Sequence, residues 1–262
     1  MKPRIKALLF TPFVVLLAGS AFAQAPASPP PPEHPAIEPA AMEILKATGD
    51  KLASAGAMSF TAVATFQYPA RNGQPLYYTN EYDVVMRRPD KLRVIMPGDG
   101  NASEYYYDGK VMAVYAPAFD LVAFADAPPT IDAMLKAAEE KAAVFFPFED
   151  VLVSDPYKAL SAQLKTAFYI GQSKHVAGTV TDMVAVANDD VQAQIWIGVD
   201  DGLPRMVRVS YPKDPMHQSH DVVFSNWKLD GLVDHAEFST PHVTTSPRME
   251  FSRPDAPPPG SK

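Results

Sequence analysis

The side chains with the most chemical reach in this 262-residue chain are His217-x-x-His220, followed by His235 and His242. Neutral imidazoles bind zinc or copper, but a competent site needs at least three converging ligands held by outer hydrogen bonds. Positions three apart on a strand face opposite ways, and a helix-borne HExxH has no counterpart here. We therefore read these as exposed loop histidines and assign no metal. Clustering of His217, His220 and His235 is what a hydrolase reading would require. The acidic pairs Asp189-Asp190 and Asp200-Asp201 fall in turn sequence, where they favour turn geometry and solubility over acid-base work. There is no cysteine and no GxSxG elbow, and the 13 glycines are scattered singly instead of forming a phosphate loop. The residues call for no cofactor and point to a protein that is not an enzyme.

The two ends differ from the middle. Lys2, Arg4 and Lys6 precede an apolar run over residues 7–18 and then Ala21-Phe22-Ala23, the three regions of a secretory signal peptide. Its apolar core is about a dozen residues, interrupted by Pro12, against the roughly 20 needed to span a bilayer. Cleavage is expected after Ala23. Without cysteine the mature chain has neither a lipidated cysteine nor a disulfide, so its core alone must stabilise it. Losing three positive charges takes the formal charge from −7 to −10, which argues against nucleic acid or an anionic bilayer as the main partner. Residues 24–39 and 247–262 are proline-rich, a linker and a tail, leaving one domain over residues 40–246.

These side chains must be positioned by a domain that opens on a helix over residues 38–55, with Ile37, Ala41, Ile44, Leu45, Leu52 and Ala53 near the 3.6-residue period. Most of the remainder alternates with period two: SFTAVATFQYP, LYYTNEYDVVMR, KLRVIM, SEYYY, KVMAVY, FDLVAFA, and later FYIGQSKHV, GTVTDMVAVA, QAQIWIGV, PRMVRVSY, SHDVVFSNWKL and AEFS. Between them lies a helical insertion. TIDAMLKAAEEKAAVFF is a helix with Thr130 or Asp132 as its cap, PFEDVLVSD a loop, and residues 156–164 a second short helix. With no β-α-β alternation, the fold class is mainly β: a meandering antiparallel sheet of about eleven or twelve strands. A sheet that wide curls or closes. The helices are its cover.

In EYYYDGKVMAVY, Asp108-Gly109 marks a hairpin, and neither of its faces is convincingly polar, so both need covering. The order RRPDKLRV, YYYDGKVMAVYAP, IWIGVDDGLPRMVRVSYP and DHAEFSTPHV resembles the LolA-like and LolB-like outer-membrane lipoprotein carriers, and most of all a family of periplasmic proteins of unknown function. The resemblance spans residues 40–245. It implies an unclosed antiparallel half-barrel of about eleven strands, a helical lid over a hydrophobic cavity, and acyl chains of a lipid or lipoprotein as ligand in the periplasm. It also implies a membrane-bound donor or acceptor as partner, and makes Arg88, before Pro89, the latch that hydrogen-bonds lid backbone.

Alternation, together with the lid, nominates as cavity-facing Phe60, Phe66, Tyr82, Val84, Tyr105, Tyr107, Tyr115, Phe124, Met134, Leu135, Phe145, Phe146, Phe148 and Trp196. Each has ordinary core packing as its competing role. Phe145-Phe146-Pro147-Phe148, between two lid helices, is the run best suited to closing a cavity mouth. Two functions remain open: a periplasmic carrier, and a non-catalytic binding or sensor module of the same fold that contacts a membrane protein.

Overall fold

In a computed structural model, the fold is described over residues 36–98, 102–216 and 218–253. The expected signal peptide, most of the linker, His217 and most of the tail lie outside the described residues.

The chain first forms helix α1 (Pro39–Ser54). A meander follows: β1 (Ala57–Pro69), β2 (Pro75–Arg87), β3 (Lys91–Met96), β4 (Ser103–Tyr107), β5 (Val111–Ala116) and β6 (Leu121–Asp126). The insertion α2 (Ile131–Ala142), α3 (Glu149–Leu152) and α4 (Pro156–Ser161) comes next. A second meander then returns through β7 (Thr166–Val176), β8 (Thr179–Ala187), β9 (Gln192–Gly198), β10 (Pro204–Ser210) and β11 (Ser219–Leu229). Strand β11 pairs with β1, so the two meanders join in one twelve-stranded sheet that β7 and β12 (Arg248–Met249) leave unclosed at its edges. Among the described strands, only β12 runs parallel to its neighbour, β6.

Register follows from apolar alternation. Phe60, Ala62 and Ala64 of β1, Tyr82, Val84 and Met86 of β2, Leu92 and Val94 of β3, and Val222 and Phe224 of β11 are buried on one concave face. A slip of one residue would expose the whole set. Helix α1 covers this face near β7 and β8, with Ala41, Leu45, Thr48, Gly49 and Leu52 on its buried side. Helix α2 covers the β3–β5 side through Ile131, Met134, Leu135 and Ala138. Asp132 ties α2 to the α3–α4 link by accepting from the Ser154 N–H at 2.9 Å and from its hydroxyl at 2.5 Å.

Four expectations are corrected. PFEDVLVSD is not a loop throughout: Glu149–Leu152 forms the short α3, which buries Val151 and Leu152. AEFS is not a strand: His235–Phe238 is a 3-10 helix, started by the Asp234 carboxylate accepting from the Ala236 N–H at 3.0 Å. The folded region also runs past residue 246, since β12 pairs with β6 and Phe251 packs against the main core. Ile37, counted into the helical face, instead forms a parallel bridge with Ala167 at the β7 edge.

Gly49 marks a close contact between α1 and α4. A Cβ there would lie 2.6 Å from Tyr157 Cβ and 2.7 Å from Tyr157 N, so α1 and α4 would have to separate. Helix propensity alone favours Gly49→Ala by about 1 kcal/mol. We expect overpacking to win and the variant to lose about 2 kcal/mol in urea unfolding.

Candidate functional site

The insertion is held to the concave face by stacked rings and one guanidinium. Phe148 meets Phe60 edge-on at 5.6 Å and Tyr82 at 5.3 Å; Phe146 stacks on Phe148 at 5.7 Å and meets Tyr105 at 5.1 Å. Arg88, at the end of β2, donates from Nη1 to the Leu152 carbonyl at 3.0 Å and from Nη2 to the Leu52 carbonyl at 3.4 Å. One side chain thus engages both α1 and α3, whose terminal carbonyls lack partners within their own helices. Burial lowers the Arg88 pKa, partly offset by Asp132.

Between α1, α3–α4 and the concave side of β8–β11 lies a cavity of about 290 Å³. Its walls are apolar: Leu52, Leu160, Leu164, Val186, Ile195, Ile197 and Val207 among others, with Phe145, Phe146 and Phe148 on the insertion side. Its volume is at the lower edge of the ~300–1,000 Å³ typical of small-molecule sites. The tyrosine hairpin side, by contrast, is filled. There Tyr105, Tyr107, Met112, Met134 and Phe146 enclose a gap of only about 20 Å³, and the Tyr107 hydroxyl donates to the Pro128 carbonyl at 2.5 Å. Burial, with help from Asp90 and Asp108, pushes the Tyr107 phenol up to about 12.

A few polar groups reach the cavity. His220 of β11, 7 % exposed, stacks on Phe66 and lies 3.4 Å from the Tyr211 hydroxyl through Nδ1. Burial lowers its pKa, against the opposing effect of Asp221, and so favours the neutral imidazole. Glu149 accepts from the Phe146 N–H at 3.3 Å, yet burial, with Glu139 and Asp150 adding to it, pushes its carboxyl up to about 7. Asp150 touches water in the mouth but is hemmed in by protein, and burial raises its pKa too. Thr48 is 1 % exposed and lines the cavity, and its Oγ1 has no hydrogen-bond partner.

The family profile described as "Predicted periplasmic protein (DUF2092)" matches residues 41–251. The chain belongs to this family. Among solved structures it is similar to LprF from Mycobacterium bovis (15% identity, TM-score 0.47, 78% of this chain and 98% of that one). It is also similar to a LolA superfamily protein from Nitrosomonas europaea (11% identity, TM-score 0.34, 76% and 97%). A third is the Pseudomonas aeruginosa MucA/MucB complex (18% identity, TM-score 0.42, 77% of this chain and 61% of that one). A comparison with curated proteins finds no match.

For this member of the DUF2092 family, the nominated residues separate by face. Phe60, Phe66, Tyr82, Val84, Tyr105 and Tyr107 share the concave face, and Met134 and Leu135 meet it from α2. Phe145, Phe146 and Phe148 line the cavity itself, with Phe145 half exposed at its edge. Tyr115, Phe124 and Trp196 are on the convex face instead. Tyr115 pairs with Glu104 and Val122, and Phe124 with Ala113, on the side opposite Tyr105 and Tyr107. There His242 stacks on Tyr115 at 3.5 Å and Arg248 sits 4.1 Å above the Phe124 ring. Trp196 pairs with Met183 and Met206, opposite to Ile195 and Ile197.

The indole that does reach the concave core is Trp227, 4.5 Å from Phe60, with Nε1 donating to the Pro204 carbonyl at 2.9 Å. A register shift opposite Ser59/Thr61, with Asn226 at φ 56°, places Trp227 and Phe224 on the same face although they are three residues apart. Sequence reasoning also missed His220: it is a buried strand residue, not an exposed loop histidine. His242 is on the opposite face of the sheet, so these two do not converge.

Two outcomes follow. Arg88→Met keeps the stem but loses both bonds to helix carbonyls; we expect a loss of about 3 kcal/mol in denaturant unfolding and faster proteolysis within residues 131–161. Glu149 is raised above its ordinary 4.5, so its protonated form favours folding: that contribution is complete below 4.5 and is lost as pH rises through about 7. Glu149→Gln is therefore expected to raise the melting temperature above that of the parent on the alkaline side of pH 7, with the gap closing toward pH 4.5, as read by thermal denaturation across pH.

Proposed function

We propose that the protein is a soluble periplasmic carrier that takes an acyl chain of a lipid or lipoprotein into the cavity between α1, α3–α4 and β8–β11, and that it is not an enzyme. The cavity carries this reading: about 290 Å³ of apolar space walled by Val, Ile, Leu and Phe, against a gap of about 20 Å³ on the tyrosine-hairpin side of the same face. An acyl chain suits such a space because it gains burial without asking for hydrogen bonds. Arg88 is the latch in this reading, and Phe145, Phe146 and Phe148 form the flap over the mouth. Release then requires α3 to lift from Arg88.

A second reading, partner binding, draws support from β7. Its Phe168, Tyr169 and Ile170 are exposed, and beyond the bridge at Ile37 its outer side is a sheet edge.

Ala193 lines the cavity from β9. Ala193→Trp fills it, and binding of a fluorescent fatty acid is expected to weaken about tenfold or more. Phe124→Leu, on the convex face, should leave binding unchanged. Equal affinity in the parent and Ala193→Trp would contradict the assigned cavity.

A further inference from the structure

The polar groups lining the cavity are carboxyls, hydroxyls, an imidazole and the Asn188 amide, and none carries a fixed positive charge. Glu149 and Asp150 bring two carboxyl groups, neither with an ion-pair partner among the described residues. His220, held neutral by burial, brings a ring nitrogen that accepts. Thr48 brings a buried hydroxyl with no partner among the described residues, and Tyr211 another hydroxyl beside His220. No Lys or Arg is among the lining residues. The lysines flanking the β8–β9 turn are already engaged, Lys165 by Asp189 at 2.5 Å and Lys213 by Asp190 at 2.9 Å.

A buried hydroxyl left without a partner is costly, and so is a carboxylate removed from water unless a cation or donors meet it. Thr48, 1 % exposed and with its Oγ1 unpartnered among the described residues, therefore calls for a polar ligand group independently of the two acids, and His220, which also lines the cavity, has only the 3.4 Å hydrogen-bond contact with Tyr211. An anionic head group entering here would meet two carboxyls and no cation. A protonated amine would meet the two carboxyls together with hydroxyl and imidazole positions that can accept.

Resting on the carrier reading, we propose that the ligand is an amphiphile with one apolar chain and a cationic amine head, the amine donating to Glu149, Asp150 and His220 while the chain fills the apolar part of the cavity. Amine-bearing lipids fit this description; lipids whose phosphate or carboxylate would face inward do not. Asp150 is close enough to Tyr211 for its charge to raise the phenol pKa beyond the effect of burial, which places the carboxyl and the Tyr211–His220 pair around one space.

The test is calorimetric binding of three chain-matched probes, dodecylamine, dodecanol and dodecanoate, to the whole protein at neutral pH and below their micelle concentrations. We expect the amine to bind about tenfold or more tighter than the carboxylate, with the alcohol between them. Glu149→Gln with Asp150→Asn should erase the amine's advantage while alcohol binding persists. Thr48→Val should stabilise the empty protein and reduce amine binding, a second check if the double variant does not fold. Equal binding of the three probes, or preference for the carboxylate, overturns the amine head while leaving the apolar cavity intact. Binding of none of them overturns the carrier reading itself.

Discussion

The structure depends on how an open twelve-stranded sheet covers its apolar concave face without closing. A sheet this wide cannot bury that face against itself when its edge strands are not paired with each other, so helices must do so. Helix α1 precedes the sheet and covers the β7–β8 end, while α2–α4 arise between the two meanders and cover the rest. The insertion is short and its helices are small, so local helix formation contributes little to holding it in place. What secures it is the ladder Tyr105–Phe146–Phe148–Phe60 and the two hydrogen bonds of Arg88.

This cover divides the concave face into a solid half and a hollow half. Where β2–β5 present Tyr82, Met86, Tyr105, Tyr107 and Met112, side chains from α2 and Phe146 fill all but about 20 Å³ of the space. Where β8–β11 present Val186, Ala193, Ile195, Ile197 and Val207, the chains are shorter and α4 has only six residues, so space remains. The hollow half is therefore the one where smaller strand residues face the short α3 and α4. The rings of the tyrosine hairpin build the wall that fixes the insertion, and the ligand space opens beside it.

Much of the fold was legible from period-two alternation, hairpin signals such as Asp108-Gly109, and the proline and capping residues of α1 and α2. Asp108 illustrates why: its carboxylate accepts from the Lys110 and Val111 N–H groups at 2.9 and 2.8 Å, a local geometry that the side chain itself encodes. The misplaced residues share a different cause. Alternation says that Tyr105 and Tyr115 belong to faces, but which face is concave is decided by distant covers. His242 and Arg248 cover the convex side far from β4–β6 in sequence. Trp227 reaches the concave face because a bulge in β11 shifts parity, and nothing in VVFSNWKL announces it. His220 looked like half of a loop pair; only the pairing of β11 with β1 and β10 buries it beside Phe66.

The central claim is that the hollow half holds an apolar chain. Native mass spectrometry of the mature protein recovered from its own cell envelope, followed by organic extraction, tests it most directly. The account predicts a bound amphiphile that leaves on unfolding, and an emptied protein whose melting temperature rises when extracted lipid is returned. A protein recovered empty, and not stabilised by any envelope lipid, would contradict it.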